Sequence, residues 1–210
     1  MITENQAQII IIFKLLLPFL EHYFRIYLYV KQSYVIFTAI SFIIAIAQSI
    51  RRDFLMIIFN NQFVKREEAV VDIEDRGYQF GDGVYEVMRI YEGQMFAFKE
   101  HAERLVRSAK EIEIVLPFTV SELKEKLTKL IQENNVLNGI VYLQVTRGAA
   151  PRTHFFPKNP QPVFTAYTAS RERMLTEMTN GIDVMLHEDI RWHRCDIKSL
   201  NLLPNTLAFE

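Results

Sequence analysis

The chain has 210 residues, enough for one large domain or two small ones, and its 50% hydrophobic content supports a buried core and excludes a disordered chain. With 24 basic and 25 acidic residues the net charge is −1, so no overall field draws the protein to nucleic acid or to an anionic membrane surface. A single cysteine, Cys195, excludes an internal disulfide, fits a reducing compartment and is expected to be a small buried apolar residue.

That average hides two unlike parts. Residues 9–50 are dominated by Ile, Leu, Phe, Tyr and Val, whereas the sequence from Asn60 onward reads as an ordinary mixed α/β domain. Residues 32–50 carry no charge over 19 positions and are followed by Arg51-Arg52, close to the ~20 residues that span a bilayer core as helix. The basic flank would stay cytoplasmic. Lys14, Pro18, Glu21, His22 and Arg25 interrupt the earlier stretch, which supports at most an interfacial or hairpin segment. Two accounts of the hydrophobic leader, residues 1–55, stay open: a membrane anchor through residues 32–50, and a start codon assigned upstream of Met56.

From Ile57 the elements are orderly. Ile57 to Val64 predicts strand, with Asn60-Asn61 as a hairpin turn. Tyr85 to Tyr91 predicts a second strand, which Glu92-Gly93 turns into Met95 to Phe98. Ala102, Leu105, Val106, Ala109 and Ile112 recur at helical spacing before Pro117. A second helix opens with Thr119 and Glu122 at capping-box spacing, is expected to carry Val120, Leu123, Leu127, Leu130 and Ile131 on one face, and is expected to stop at Asn138-Gly139. Val141, Leu143 and Val145 alternate with polar partners as a half-buried strand does, residues 147–162 read as a loop, and Val163 to Thr168 returns as strand. Residues 170–180 read as an interdomain linker, and Val184 to His187 is expected to begin a strand of a second domain that opens near Gly181.

Two stretches carry the chemistry. The first is Asp75-Arg76-Gly77-Tyr78-Gln79-Phe80-Gly81-Asp82-Gly83-Val84-Tyr85-Glu86, and the second is Cys195-Asp196-Ile197-Lys198-Ser199-Leu200-Asn201. Together with Glu100-His101-Ala102-Glu103-Arg104-Leu105, Gln144-Val145-Thr146-Arg147-Gly148, Pro151-Arg152-Thr153-His154 and Asp189-Ile190-Arg191-Trp192, they resemble the D-amino-acid aminotransferases, pyridoxal-phosphate enzymes of fold type IV. The resemblance covers roughly residues 57–207.

It implies an α+β fold. Residues 56–169 would form the N-terminal domain, an antiparallel sheet with two helices; residues 170–180 the linker; and residues 181–210 the first part of a cofactor-binding second domain, the whole preceded by hydrophobic helices. The resemblance also implies roles. Lys198 would carry the Schiff base and shuttle the proton, Arg104 would grip the cofactor phosphate, and Tyr85, Arg152 and His154 would trap the substrate carboxylate, the last two on a loop that reaches a neighbouring subunit. A lysine that attacks a carbonyl needs its pKa lowered, and Arg194 is a candidate contributor, with Asp196 acting oppositely. The arginine fork suits a phosphate better than an ammonium does. The expected reaction is D-alanine plus 2-oxoglutarate giving pyruvate plus D-glutamate, in a cytoplasmic homodimer. Branched-chain L-amino-acid aminotransferases share the fold and the lysine but are not expected to carry the Pro-Arg-x-His loop. A catalytically inactive, membrane-anchored remnant is the rival reading.

Other chemistries have weaker support. Gly81-Asp82-Gly83 lacks the third glycine of a dinucleotide fingerprint, the five histidines show no ligand-type pairing, and no Gly-x-Ser-x-Gly motif occurs. The family continues past the lysine into a full second domain, which supplies an acid for the pyridinium nitrogen, so little or no transaminase activity is expected of this chain alone.

Overall fold

The computed structural model describes residues 55–209, and the hydrophobic helices and membrane segment expected in residues 1–54 lie outside the described residues. Strand β1 (Met56–Phe59) turns through Asn60 and Asn61, both at positive φ (48° and 69°), into β2 (Gln62–Lys65). Consecutive left-handed residues match the twist of a two-residue hairpin, and asparagine tolerates them. A five-residue helix, α1 (Arg76–Phe80), follows; Asp75 caps it by accepting from Gly77 N at 2.8 Å, and Gly81 ends it in the left-handed region. β3 (Gly83–Tyr91) and the short β4 (Gln94–Met95) form the next hairpin, and helix α2 begins at Phe98 and runs to Glu111. The strand expected to reach Phe98 thus stops at Met95, because Ala97 adopts φ 53° and starts the helix.

Helix α3 (Val120–Glu133) has the anticipated capping box, with Thr119 Oγ1 accepting from Glu122 N and Glu122 accepting from Thr119 N at 2.7 Å. Val120, expected on its apolar face, is exposed in the first turn, and the helix ends at Asn134 rather than near Asn138. The Asn134 side chain is committed elsewhere: it accepts from Met56 N and donates to Met56 O and Thr168 Oγ1, all within 2.9 Å. β5 (Gly139–Thr146) and β6 (Val163–Ser170) complete one antiparallel sheet of order β2-β1-β6-β5-β3-β4. Alternation assigns Val84, Met88, Ile90, Val141, Leu143, Val145, Phe164 and Ala166 to one face. There they meet Leu105 and Ala109 of α2 and Leu123, Leu127, Leu130 and Ile131 of α3 in a single core.

Beyond β6 the chain forms two short helices, α4 (Leu175–Asn180) and α5 (Leu203–Leu207). The strand expected at Val184 to His187 is not formed: these residues are exposed, and no described strand pairs with them to satisfy their backbone groups. Cys195 is likewise exposed rather than buried, because it sits in the same unpacked stretch, its thiol donating to Trp192 O at 3.0 Å. Among the described residues no helix is long and apolar enough to cross a membrane.

Candidate active site

The face of the sheet away from the helices carries the complementary set of side chains. Tyr85, Tyr142 and Tyr167 lie on β3, β5 and β6, and alternation turns all three outward. Their rings stack across the strands, 5.8 Å from Tyr85 to Tyr142 and 5.0 Å from Tyr142 to Tyr167. Tyr142 donates to Gln144 Oε1 at 2.8 Å. Burial pushes the Tyr142 phenol up to about 12, with Tyr167 and Tyr85 adding to the shift.

Lys198 extends this row. Its Nζ lies over the Tyr85 ring, 4.1 Å from the centroid, as a cation over an aromatic face. The backbone explains why. β3 has a free edge near its start, and residues 198–200 add to it: Tyr85 N donates to Lys198 O, Leu200 N donates to Gly83 O, and Val84 bridges Ser199. Gly83 makes the approach feasible, since a Cβ there would stand 2.8 Å from both Leu200 Cδ1 and Val145 O. From the other side α2 fixes the segment through Lys198 N donating to Ser108 Oγ at 3.1 Å, with Ser108 itself buried. Ile197 and Ser199 are buried on either side of the half-buried Lys198, so the lysine is held on a docked segment that follows an otherwise exposed stretch.

Tyr85, Lys198, Trp192, Arg191, Asn201 and Asn205 line an open cleft of ≈ 130 Å³, smaller than a typical small-molecule pocket of roughly 300 Å³ or more. Arg191 is bonded to Asp189 at 2.8 Å, which holds that carboxyl down at about 2. Arg194, a candidate to act on Lys198, is instead engaged by Asp196 and Glu111. Asp196, expected to act oppositely, is held by the same guanidinium.

Arg104 reaches the buried Glu86 of β3 with its fork, Nε to Oε1 at 2.6 Å and Nη2 to Oε2 at 2.7 Å. The Glu86 hydrogen bonds and charge raise the Arg104 pKa above its ordinary value against the opposing effect of burial, and Tyr85 adds to the rise. Arg104 therefore stands within the electrostatic reach of Tyr85, although neither it nor any other residue of α2 lines the cleft itself.

Arg152 and His154 are elsewhere. Neither lines the cleft within one chain; both face Phe80, the Arg152 guanidinium 4.9 Å from the ring centroid and the His154 ring at 5.8 Å. Their loop is tied down by Arg76, whose Nη1 donates to Thr153 O at 2.7 Å. Arg76 and Arg147, both buried, share the carboxylate of Asp82. Sequence reasoning assigned no role to Glu86, Ser108, Arg76 or Asp82. For Glu86 a signal existed: an acidic residue at a core position in the alternation Val84, Glu86, Met88, Ile90 demands a buried partner.

The donor set fits a phosphorylated aldehyde cofactor: a half-buried amine whose Nζ faces an aromatic ring, and an arginine fork with an outer edge to spare. Comparison with known proteins points the same way. The model of the family "Amino-transferase class IV" matches residues 83–209. The chain is 54% identical over 155 residues to the D-alanine aminotransferase of Staphylococcus epidermidis (strain ATCC 35984), covering 73% of this chain and 55% of the relative. It is 51% identical over 157 residues to that of Listeria monocytogenes serotype 1/2a (strain 10403S), covering 73% and 54%. It thus spans about half the length of the curated relatives it matches. Among solved structures, a branched-chain amino acid aminotransferase with pyridoxamine 5'-phosphate, its source abbreviated T.th., superposes with a TM-score of 0.55 at 25% identity, over 59% of this chain and 42% of that one. The 4-amino-4-deoxychorismate lyase of Pseudomonas aeruginosa gives 0.56 at 20% identity, over 73% and 55%, a likeness of fold alone. The sheet with its two covering helices, the docked lysine segment and a family match over more than half of the chain agree: this protein belongs to the amino-transferase class IV family.

Proposed function

We propose that the protein takes part in pyridoxal-phosphate-dependent transamination of D-amino acids, D-alanine and 2-oxoglutarate giving pyruvate and D-glutamate. The observation that supports this most is the placement of Lys198, half-buried, anchored by backbone bonds to both β3 and α2, with its amine over Tyr85 at the cleft. When bound, the cofactor supplies an aldehyde and an electron sink for the bond from Cα to hydrogen. The protein's part is placement and proton handling. Lys198 Nζ holds the cofactor and moves the proton from Cα, Tyr85 lends a hydroxyl beside it, and Arg104 takes the phosphate with the edge of its fork that Glu86 leaves free.

Arg152 and His154 supply a cation and a ring N–H donor for the substrate carboxylate. Their distance from their own chain's cleft supports action in the cleft of a second copy, as a homodimer with shared sites would require. The D preference rests on the Pro151-Arg152-Thr153-His154 loop and on the identity to D-alanine aminotransferases. The test is a single turnover: the cofactor-loaded chain is mixed with D-alanine or with L-leucine and the 2-oxo acid released is measured. A slow release of pyruvate from D-alanine, at most one equivalent and without sustained turnover, and no product from L-leucine is expected. Product from L-leucine alone, or from neither, overturns the reading.

A further inference from the structure

Glu86 is 0% exposed and stands among Val84, Met88 and Ile90 on the face that the helices cover. An ionised carboxylate is tolerated there only with well-aligned partners. Arg104 supplies two such bonds, at Nε and Nη2, and His101 supplies a third with Nδ1 2.8 Å from Oε2. At that distance from a carboxylate oxygen, Nδ1 carries the proton and donates. The 3.3 Å approach of Nδ1 to Arg104 Nη2 is therefore a meeting of two donors that share one acceptor.

The consequence lies in what remains of Arg104. Glu86 occupies one edge of the guanidinium, and Nη1 has no acceptor among the described residues, on a side chain 40% exposed. A planar fork clamped along one edge presents its other edge in a fixed direction, which is what a phosphate needs from an arginine and what a lysine cannot offer.

We infer that Glu86, assisted by His101, is a positioning residue that aims Arg104 at the cofactor phosphate. The inference rests on the reading of Arg104 as the phosphate ligand, and it goes against simple electrostatics. A carboxylate beside a phosphate site repels the ligand, so charge alone predicts that Glu86→Gln tightens phosphate binding. Aiming predicts the opposite. Glutamine keeps one acceptor and turns an amide donor toward Arg104 or His101, so the two-point clamp is lost.

The chain's one tryptophan, Trp192, lines the cleft and reports binding by its fluorescence. The 210-residue chain is titrated with pyridoxal 5'-phosphate and, separately, with pyridoxal. The wild type is expected to prefer the phosphorylated form. Glu86→Gln is expected to lose affinity for that form by about tenfold, as loss of an orienting partner costs elsewhere, with pyridoxal binding unchanged. Arg104→Lys, which keeps the charge without the fork, is expected to do the same. Equal or tighter binding of pyridoxal phosphate by Glu86→Gln overturns the inference, and so does an equal loss for both ligands, the mark of a purely structural ion pair. If Glu86→Gln fails to fold, as judged by its thermal transition, Arg104→Lys decides: an undiminished phosphate preference shows that a bare cation suffices and that aiming has no function. A wild type without phosphate preference sinks the underlying reading itself, so that failure is distinct from one seen only in the variants.

Discussion

Asp82 illustrates how much of this protein depends on single buried charges. Its carboxylate, 10% exposed, accepts from Arg76 Nε and from Arg147 Nε and Nη2, while the two guanidiniums are 4% and 2% exposed. Two cations and one anion lie together out of water, and backbone carbonyls of Ile112, Glu113 and Thr153 complete their hydrogen bonding. Breaking a buried pair by removing one partner leaves an uncompensated charge and costs about 3–5 kcal/mol. Asp82→Ala is therefore expected to lower unfolding stability by about that amount in a denaturant titration. A loss below about 1 kcal/mol would show that the arginines are solvated or paired otherwise. The same cluster fixes the loop of Arg152 and His154 through Arg76 and Phe80, which ties stability at the residue scale to the expected grip on substrate.

Among elements, the join between α3 and the sheet is the one most sharply defined by polar contacts. Asn134, at the end of the helix, imitates a strand residue: its amide both accepts from and donates to the backbone of Met56, and it also holds the Thr168 hydroxyl. One buried side chain thus links α3 to β1 and β6. Asn134→Ala removes three hydrogen bonds and strands a buried hydroxyl, a loss of about 2–4 kcal/mol, so a clear fall in melting temperature is expected, whereas Gln132→Ala at a nearby exposed position of the helix should change little. Equal effects at the two positions would contradict the assignment. Elements differ, too, in how legible they were. The hairpin at Asn60-Asn61, the α3 cap at Thr119 and Glu122, and the alternation in β3 and β5 are local signals, and the structure follows them. The end of α3 falls short of Asn138 because its stop is set by Asn134 bonding to strands 34 and 78 positions away. Val184 to His187 has strand composition but no described strand beside it, and composition alone cannot supply one.

For the molecule as a whole, the fold class was readable because periodicity and motif order are properties of the chain itself. The cleft was not. It depends on residues 198–200 returning to the free edge of β3, far earlier in the chain, on a glycine that permits the approach, and on Ser108 receiving the segment from α2. The separation of Tyr85 from Arg152 and His154 was equally hidden, since sequence order says nothing about which residues share a cleft within one copy. The apolar side chains left exposed after β6, including Met178, Leu186 and Trp192, mark the part of the chain whose packing the sheet does not provide. Lys198 is the residue we propose to hold the aldehyde cofactor. The most direct test of that role is to incubate the chain with pyridoxal 5'-phosphate, reduce with borohydride, and map the adduct by peptide mass spectrometry. A stoichiometric adduct on Lys198 that Lys198→Arg abolishes is expected, while adducts scattered over exposed lysines such as Lys99, with Lys198 unmodified, would contradict that role.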